Sequence, residues 1–415
     1  MHKDALITND AVILGMLFVI LAFVFYTSSS THKKWISFYR LVPGVLLCYF
    51  LPSLLNTFKI IDGEKSGLYP VMSRYLLPVS LVLLTLSIDF KALKKLGTKA
   101  VVMFLAGSFG VMIGGPLAIL LCKHITPAVF TAGGPDAVWR GMTAIAGSWI
   151  GGSANQAAMK ELFGVSDSLF GAMITIDVIL AYVWMAFLLY GANRSASIDQ
   201  WLKADNSAIA ELKSKLEKFQ LSVKRVPTLR DIMLICGIGF GVTGLAHFCA
   251  DLIAPAIAAR APQLEKFSLT SSFFWLIVIT TTLGMILATT RARKLEGAGA
   301  SVIGTLLLYL LIATLGMKMD ITSLFQNPAI LFVCFVWLLF HILIMLVIAR
   351  LIRAPFFFVA VGSMANIGGP ASAPVIAAAF SPALAPVGVL LAVLGYAIGT
   401  YGAYVCGLLM QWASS

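Results

Sequence analysis

The sequence predicts an all-α polytopic membrane protein made of two inverted repeats of about five transmembrane helices, each with a Gly-Gly re-entrant hairpin or broken helix. Composition, a series of long apolar segments, and a glycine-rich pattern that occurs once in each half carry this reading. Of the 415 residues, 60% are apolar and 12% charged, with a mean hydropathy of +0.94. Soluble domains lie near 45–50% apolar and about 25% charged. Several runs reach the roughly 20 apolar residues that a bilayer crossing needs.

The apolar segments fall at 10–28, 36–56, 72–90, 100–122, 138–160 and 168–192, then at 231–254, 270–290, 300–317, 328–349, 355–380 and 385–411. The first lacks an A-x-A cleavage site and runs into basic Thr31-His32-Lys33-Lys34, so it reads as a span and not a signal peptide. Between the sixth and seventh lies the polar stretch 193–230. There Ile209, Leu212, Leu216, Phe219 and Val223 recur at helical spacing and Glu211 precedes Lys215 by four, which predicts an amphipathic cytoplasmic helix. The chain thus divides into a first repeat (1–192), a linker (193–230) and a second repeat (231–415).

The net charge of +12 sits in short basic clusters between apolar runs. That is the pattern of loops facing an anionic leaflet and its lipid, and it gives no reason to expect a nucleic-acid partner. The cysteines (Cys48, Cys122, Cys236, Cys249, Cys334, Cys406) lie in apolar segments without C-x-x-C spacing and read as small core residues.

Ile150-Gly151-Gly152-Ser153-Ala154-Asn155 aligns without gaps on Ile367-Gly368-Gly369-Pro370-Ala371-Ser372, with Gly147-Ser148 and Gly362-Ser363 just upstream. The stretch TLSIDFKAL from Thr85 parallels TLGMKMDITSL from Thr314. Two matches in the same order point to an internal duplication, as in many secondary transporters. If segments 138–160 and 355–380 are re-entrant hairpins, each half has five crossings, the second half is inverted, and every basic cluster faces one side. This puts the N-terminus outside and loop 193–230 in the cytoplasm of a plasma (inner) membrane protein.

Non-helical backbone at membrane depth survives only where protein or a wet cavity satisfies it. A helix restarting after Gly151-Gly152, or after Gly368-Gly369 with Pro370 in its first turn, aims free N–H groups and a positive dipole end at the midplane. Ser153, Asn155, Gln156, Asn366 and Ser372 add side-chain donors and acceptors, so these residues form the expected substrate cradle. Close helix packing alone would also account for the glycines and alanines, but not for the asparagines and glutamine.

Asp177 is the one carboxylate deep in an apolar segment, and an intramembrane acid is a functional candidate, here for a coupling Na⁺ or H⁺. A structural acid bonded to neighbouring hydroxyls is the competing reading. Asp89, Lys91, Lys318 and Asp320 read as interfacial anchors or ion pairs. Asp136, Arg140, Lys160 and Glu161 flank the first hairpin, where Arg140 serves either as a surface anchor or as an anion contact. His247 and His341 read as packing residues. No enzyme signature, metal site or cofactor motif stands out.

These residues also resemble a family. GSWIGGSANQAAMKE, ANIGGPASAPV and LTLSIDFKAL are similar to the bacterial membrane proteins of domain-of-unknown-function family 819. The two-hairpin plan resembles the glutamate:sodium and 2-hydroxycarboxylate symporters of the cation:proton antiporter/anion transporter superfamily. The resemblance implies gradient-driven transport by an elevator-type movement, with the two Gly-Gly tips holding the substrate, in what is commonly a homodimer. The chain departs from the symporters in having Ser153 and Pro370 where they carry a third glycine. It also lacks the second acid that many antiporters place beside the residue corresponding to Asp177. The expected function is cation-coupled transport of a small organic anion or amino acid-like solute. A cation/proton antiporter and a sensor signalling through 193–230 are the alternatives.

Overall fold

The computed structural model describes residues 5–42, 44–63, 65–90, 93, 96–205, 226–267, 269–318, 328–381 and 384–415. The linker helix expected at 209–223, and Lys91 and Asp320, lie outside them. Among the described residues nearly everything is helical, and the β pairing is confined to an isolated bridge between Ile7 and Ile61. The chain runs through α1 (Asp10–Ser28), α2 (Lys33–Leu41), α3 (Gly44–Thr57), α4 (Leu68–Leu86), α5 (Thr98–Ile125), α6 (Val138–Phe163), α7 (Asp167–Ala192) and α8 (Ser195–Leu202). It continues through α9 (Leu229–Arg260), α10 (Ser272–Ala288), α11 (Ala300–Gly316), α12 (Pro328–Leu351), α13 (Phe356–Ile367), α14 (Gly369–Phe380) and α15 (Ala385–Ser414).

Among the described residues, seven helices are long and apolar enough to cross a bilayer, or eight if α10 and the short helix Arg291–Ala298, bent by 93°, make one span. This is a multi-pass membrane protein. The segment expected at 36–56 is not one helix. Val42 is extended (φ −114°, ψ 106°) and separates α2 from α3, because the residue before a proline, here Pro43, is pushed out of the helical region. The segment expected at 300–317 forms α11, at 17 residues just short of the length a lone span needs.

Two segments turn back on themselves. In α6, Gly152 has φ 77° and ψ −177°, a backbone region that only glycine enters without strain. Beyond it, Arg140 bonds the carbonyl of Phe163, and the Trp139 and Phe163 rings stand 6.0 Å apart. An unbroken helix would hold positions 140 and 163 about 35 Å apart. Likewise Gly369, at φ 62°, separates α13 from α14, and the Phe357 and Phe380 rings lie 5.3 Å apart.

The two segments open toward opposite ends of α5. Lys99, near its start, reaches Asp205 (3.0 Å) and the carbonyl of Arg353, just before α13. At its far end Lys123 reaches the carbonyls of Ala413 and Ser414 at the end of α15, the helix whose Tyr404 stacks on Phe163.

Packing sorts the helices into two groups. In the first, α15 lies along α6, α5 packs on α12 and α13, and α14 packs on α15. Its centre is aromatic, with the buried Trp149 and Trp337 rings 4.7 Å apart. In the second, α4 packs on α10 and α11, α9 on α10, and α3 on α1 and α11. Large apolar side chains on α1 (Phe18, Val19, Phe23) and α9 (Phe240, Phe248, Leu252) remain exposed, as lipid-facing surfaces require.

Candidate functional site

The two glycine-bearing turns come together around adjoining cavities at the seam between the helix groups. The larger, about 250 Å³, is lined by Ser148, Gly152 and Ser153 from α6 and by Gly368, Gly369 and Pro370 from the second turn. Thr305, Leu308 and Tyr309 of α11 close it from the other group, and Tyr396 comes from α15. The smaller, about 120 Å³, holds Asp177 and Tyr182 of α7, Gln156, Ser372 and, from α3, Tyr49. Ser148, Ser153, Ile367 and Gly368 line both.

Asp177 is buried, and both of its oxygens are engaged. Trp149 Nε1 donates to Oδ1 at 2.7 Å and Gln156 Nε2 to Oδ2 at 3.1 Å. The bonds join the first turn to α7. A carboxylate held by N–H donors keeps lone pairs free for a further cation or proton.

No Lys, Arg or His lines either cavity. An anion in the larger cavity, which Asp177 does not line, would be met by backbone N–H groups and helix ends. α14 begins at the tip without a side-chain cap and with Pro370 in its first turn, so its leading amides are open to such a partner.

The sequence-based candidates therefore separate. Gly152, Ser153, Gln156, Gly368, Gly369, Pro370, Ser372 and Asp177 line the cavities. Asn155 and Asn366 stand behind the tips and serve them as pins. Asn155 donates to the Gly151 carbonyl (2.9 Å) and accepts from Thr400 (2.6 Å). Asn366 donates to the carbonyls of Phe104 and Gly362 (each 2.9 Å) and accepts from Ser108 (2.7 Å). Gly151 is a packing contact: a methyl group on it would lie 2.6 Å from the Gly399 Cα.

The four tyrosines and Trp149 carry no mark of their role in the sequence. An aromatic residue in an apolar run carries no signal of which way it faces. Ser148 was visible only as half of a repeated Gly-Ser pair.

The flanking charges are structural. Arg140 closes the base of α6 and lies over the Trp139 ring at 4.8 Å. Lys160, 5% exposed, meets Asp167 (2.7 Å), Glu161 (3.3 Å) and the Tyr69 hydroxyl (3.2 Å), and Lys318 meets Asp167 at 2.8 Å. Asp89 pairs with Arg293. His341 contacts the Gly107 carbonyl (3.0 Å) and Ser363 (2.8 Å), and His247 the Arg74 carbonyl (2.9 Å). Among the described residues no trio of His, Cys, Asp or Glu is placed to hold a metal.

Comparison with known proteins agrees in class. The chain is similar to the uncharacterized membrane protein YjcL of Bacillus subtilis (strain 168), at 24% identity over 396 residues covering 92% of each chain. Residues 15–412 match the family model described as "Protein of unknown function (DUF819)". That match takes in both glycine turns and every span but for the first turn of α1 and the last two residues of α15, and the chain belongs to the DUF819 family.

Proposed function

We propose that this protein is a secondary transporter that couples a cation, Na⁺ or H⁺, to the movement of a small organic anion or amino acid-like solute. The observation that carries the reading is the meeting of the two glycine turns, opening toward opposite ends of α5, around polar cavities at the seam between two helix groups. The turns act as re-entrant hairpins whose exposed amides bind the anionic part of the solute. Asp177 binds the cation or proton. The group holding α5, α6, α7 and α12–α15 then slides as an elevator past the group holding α3, α4 and α11.

An inverted repeat fits the packing. The third helix of each half packs on the other (α4 on α11), as does the fourth (α5 on α12), and α4 on α10 mirrors α11 on α3. Both tips face the cavities that α11 and α3 close, so relative movement of the groups would expose the solute to either side.

The test is uptake by proteoliposomes of a labelled panel of dicarboxylates and amino acids, with imposed Na⁺ or H⁺ gradients. Accumulation that collapses with the gradient supports the symporter. Proton efflux driven by Na⁺ or K⁺ with no solute present would replace it with an antiporter. Neither activity, across the whole panel, would leave the sensor reading.

A further inference from the structure

Tyr49 stands apart from the other polar groups of the smaller cavity. It belongs to α3, in the second helix group, and it is 2% exposed. Its hydroxyl is buried and has no hydrogen-bond partner among the described residues. Its ring is in place without the hydroxyl, since it meets the Phe170 ring edge-on at 6.5 Å. A buried hydroxyl left unpaired is costly, and native structures retain one where something else satisfies it.

The surroundings say what that partner is. Facing Tyr49 across the cavity are the Asp177 carboxylate, the hydroxyls of Ser148, Ser153 and Ser372, and the Gln156 amide, which can be turned to present its oxygen. This is an oxygen-rich wall with one negative charge and no cationic side chain, so it suits a cation and repels an anion. One carboxylate suits a monovalent ion; divalent sites gather more. A volume of about 120 Å³ is well above the ~10–15 Å³ that a single water needs. That is room for an ion and its remaining waters.

We propose that this cavity is a monovalent-cation site, and that Tyr49 is its ligand from the second helix group. Trp149 keeps its bond to Oδ1 of Asp177, and the cation takes the free lone pairs there together with the hydroxyls and the Tyr49 oxygen. The bound ion therefore bonds both helix groups at once and holds them in this arrangement. This rests on the transporter reading above, in which the two groups move past one another.

The test is thermal unfolding of the purified full-length protein against Na⁺, and separately K⁺, with choline chloride keeping ionic strength constant. A ligand that binds only the folded state stabilises it by RT ln(1 + c/Kd) at free concentration c, so Tm begins to rise once c passes Kd and goes on rising. For the wild type, one of the two ions should raise Tm. Asp177→Asn should abolish the response. Tyr49→Phe should leave the ion-free Tm unchanged or higher, because it removes an unpaired hydroxyl, yet raise at least tenfold the ion concentration needed for a given rise in Tm. An unchanged concentration dependence in Tyr49→Phe overturns the role of Tyr49 while leaving a cation at Asp177. No response of the wild type to either ion overturns the site itself, whereas the transporter reading stands or falls on solute uptake.

Discussion

The indole nitrogen of Trp149 donates to Oδ1 of Asp177 at 2.7 Å, tying the last turn before the Gly152 break to the middle of α7. The intramembrane acid and the broken segment are thus one unit. Gln156, just after the break, holds the second oxygen, so the carboxylate spans the turn from both sides.

That arrangement makes Asp177→Asn informative. The amide oxygen can keep the Trp149 bond, and a turned Gln156 side chain can accept from the new N–H₂ group. The fold should survive with a loss of no more than about 1.5 kcal/mol, the low end for a hydrogen bond to a charged group. Uptake into vesicles should become indifferent to the imposed cation gradient. Full coupling in this variant would remove Asp177 from the mechanism.

The two glycine turns should differ in tolerance. Gly152 combines φ 77° with ψ −177°, where any Cβ is strained, so Gly152→Ala should cost about 1–3 kcal/mol and abolish uptake. Gly369 has φ 62° and open space where a side chain would begin, and asparagine enters the left-handed region more readily than most residues. Gly369→Asn should therefore fold with little change. Melting curves and uptake on the two variants decide this; equal damage at both positions would contradict it.

Lys160 is the keystone of a charge cluster with Glu161, Asp167 and Lys318 that joins α6 and α7 to the end of α11. Lys160→Met takes the buried cation away from Glu161 and Asp167, which are both partly exposed, and Asp167 keeps Lys318, so the loss should stay below the roughly 3–5 kcal/mol of breaking a fully buried pair. The double variant Lys160→Met/Glu161→Gln restores neutrality and should lose less than the two single changes added together. A double-mutant cycle by chemical denaturation measures the difference, and strict additivity would show that the cluster does not act as a unit.

Topology follows from the ends of α5. In a background without the native cysteines, Asp136→Cys should react with a membrane-impermeant maleimide on intact cells. Asp205→Cys, beside Lys99, should react only after permeabilisation. Labelling of both from one side would mean that α5 does not carry the chain across between the two openings.

Some of this was legible in the residues alone. Apolar runs announce membrane helices because a bilayer core admits only backbone whose amides are internally bonded. The paired glycines at 151–152 and 368–369 marked where helices break, since glycine reaches backbone angles closed to other residues. A lone acid in TIDVILAY marked Asp177, because a carboxylate in that setting demands a partner.

Facing direction was not legible. Asn155 and Asn366 looked like ligands beside the glycines, yet each bends back to a carbonyl four residues earlier, Gly151 and Gly362, and meets a hydroxyl from another helix. Tyr49 and Tyr309 looked like ordinary apolar-run residues, yet they close the cavities from the far side of the seam. The sequence by itself determined the solvent this protein lives in, the points where its helices must break, and the acid, Asp177, set within a long apolar helix. Only the tertiary structure decided which polar groups face one another, because that depends on how helices from distant parts of the chain rotate and pack, and a residue's own chemistry does not encode its neighbour.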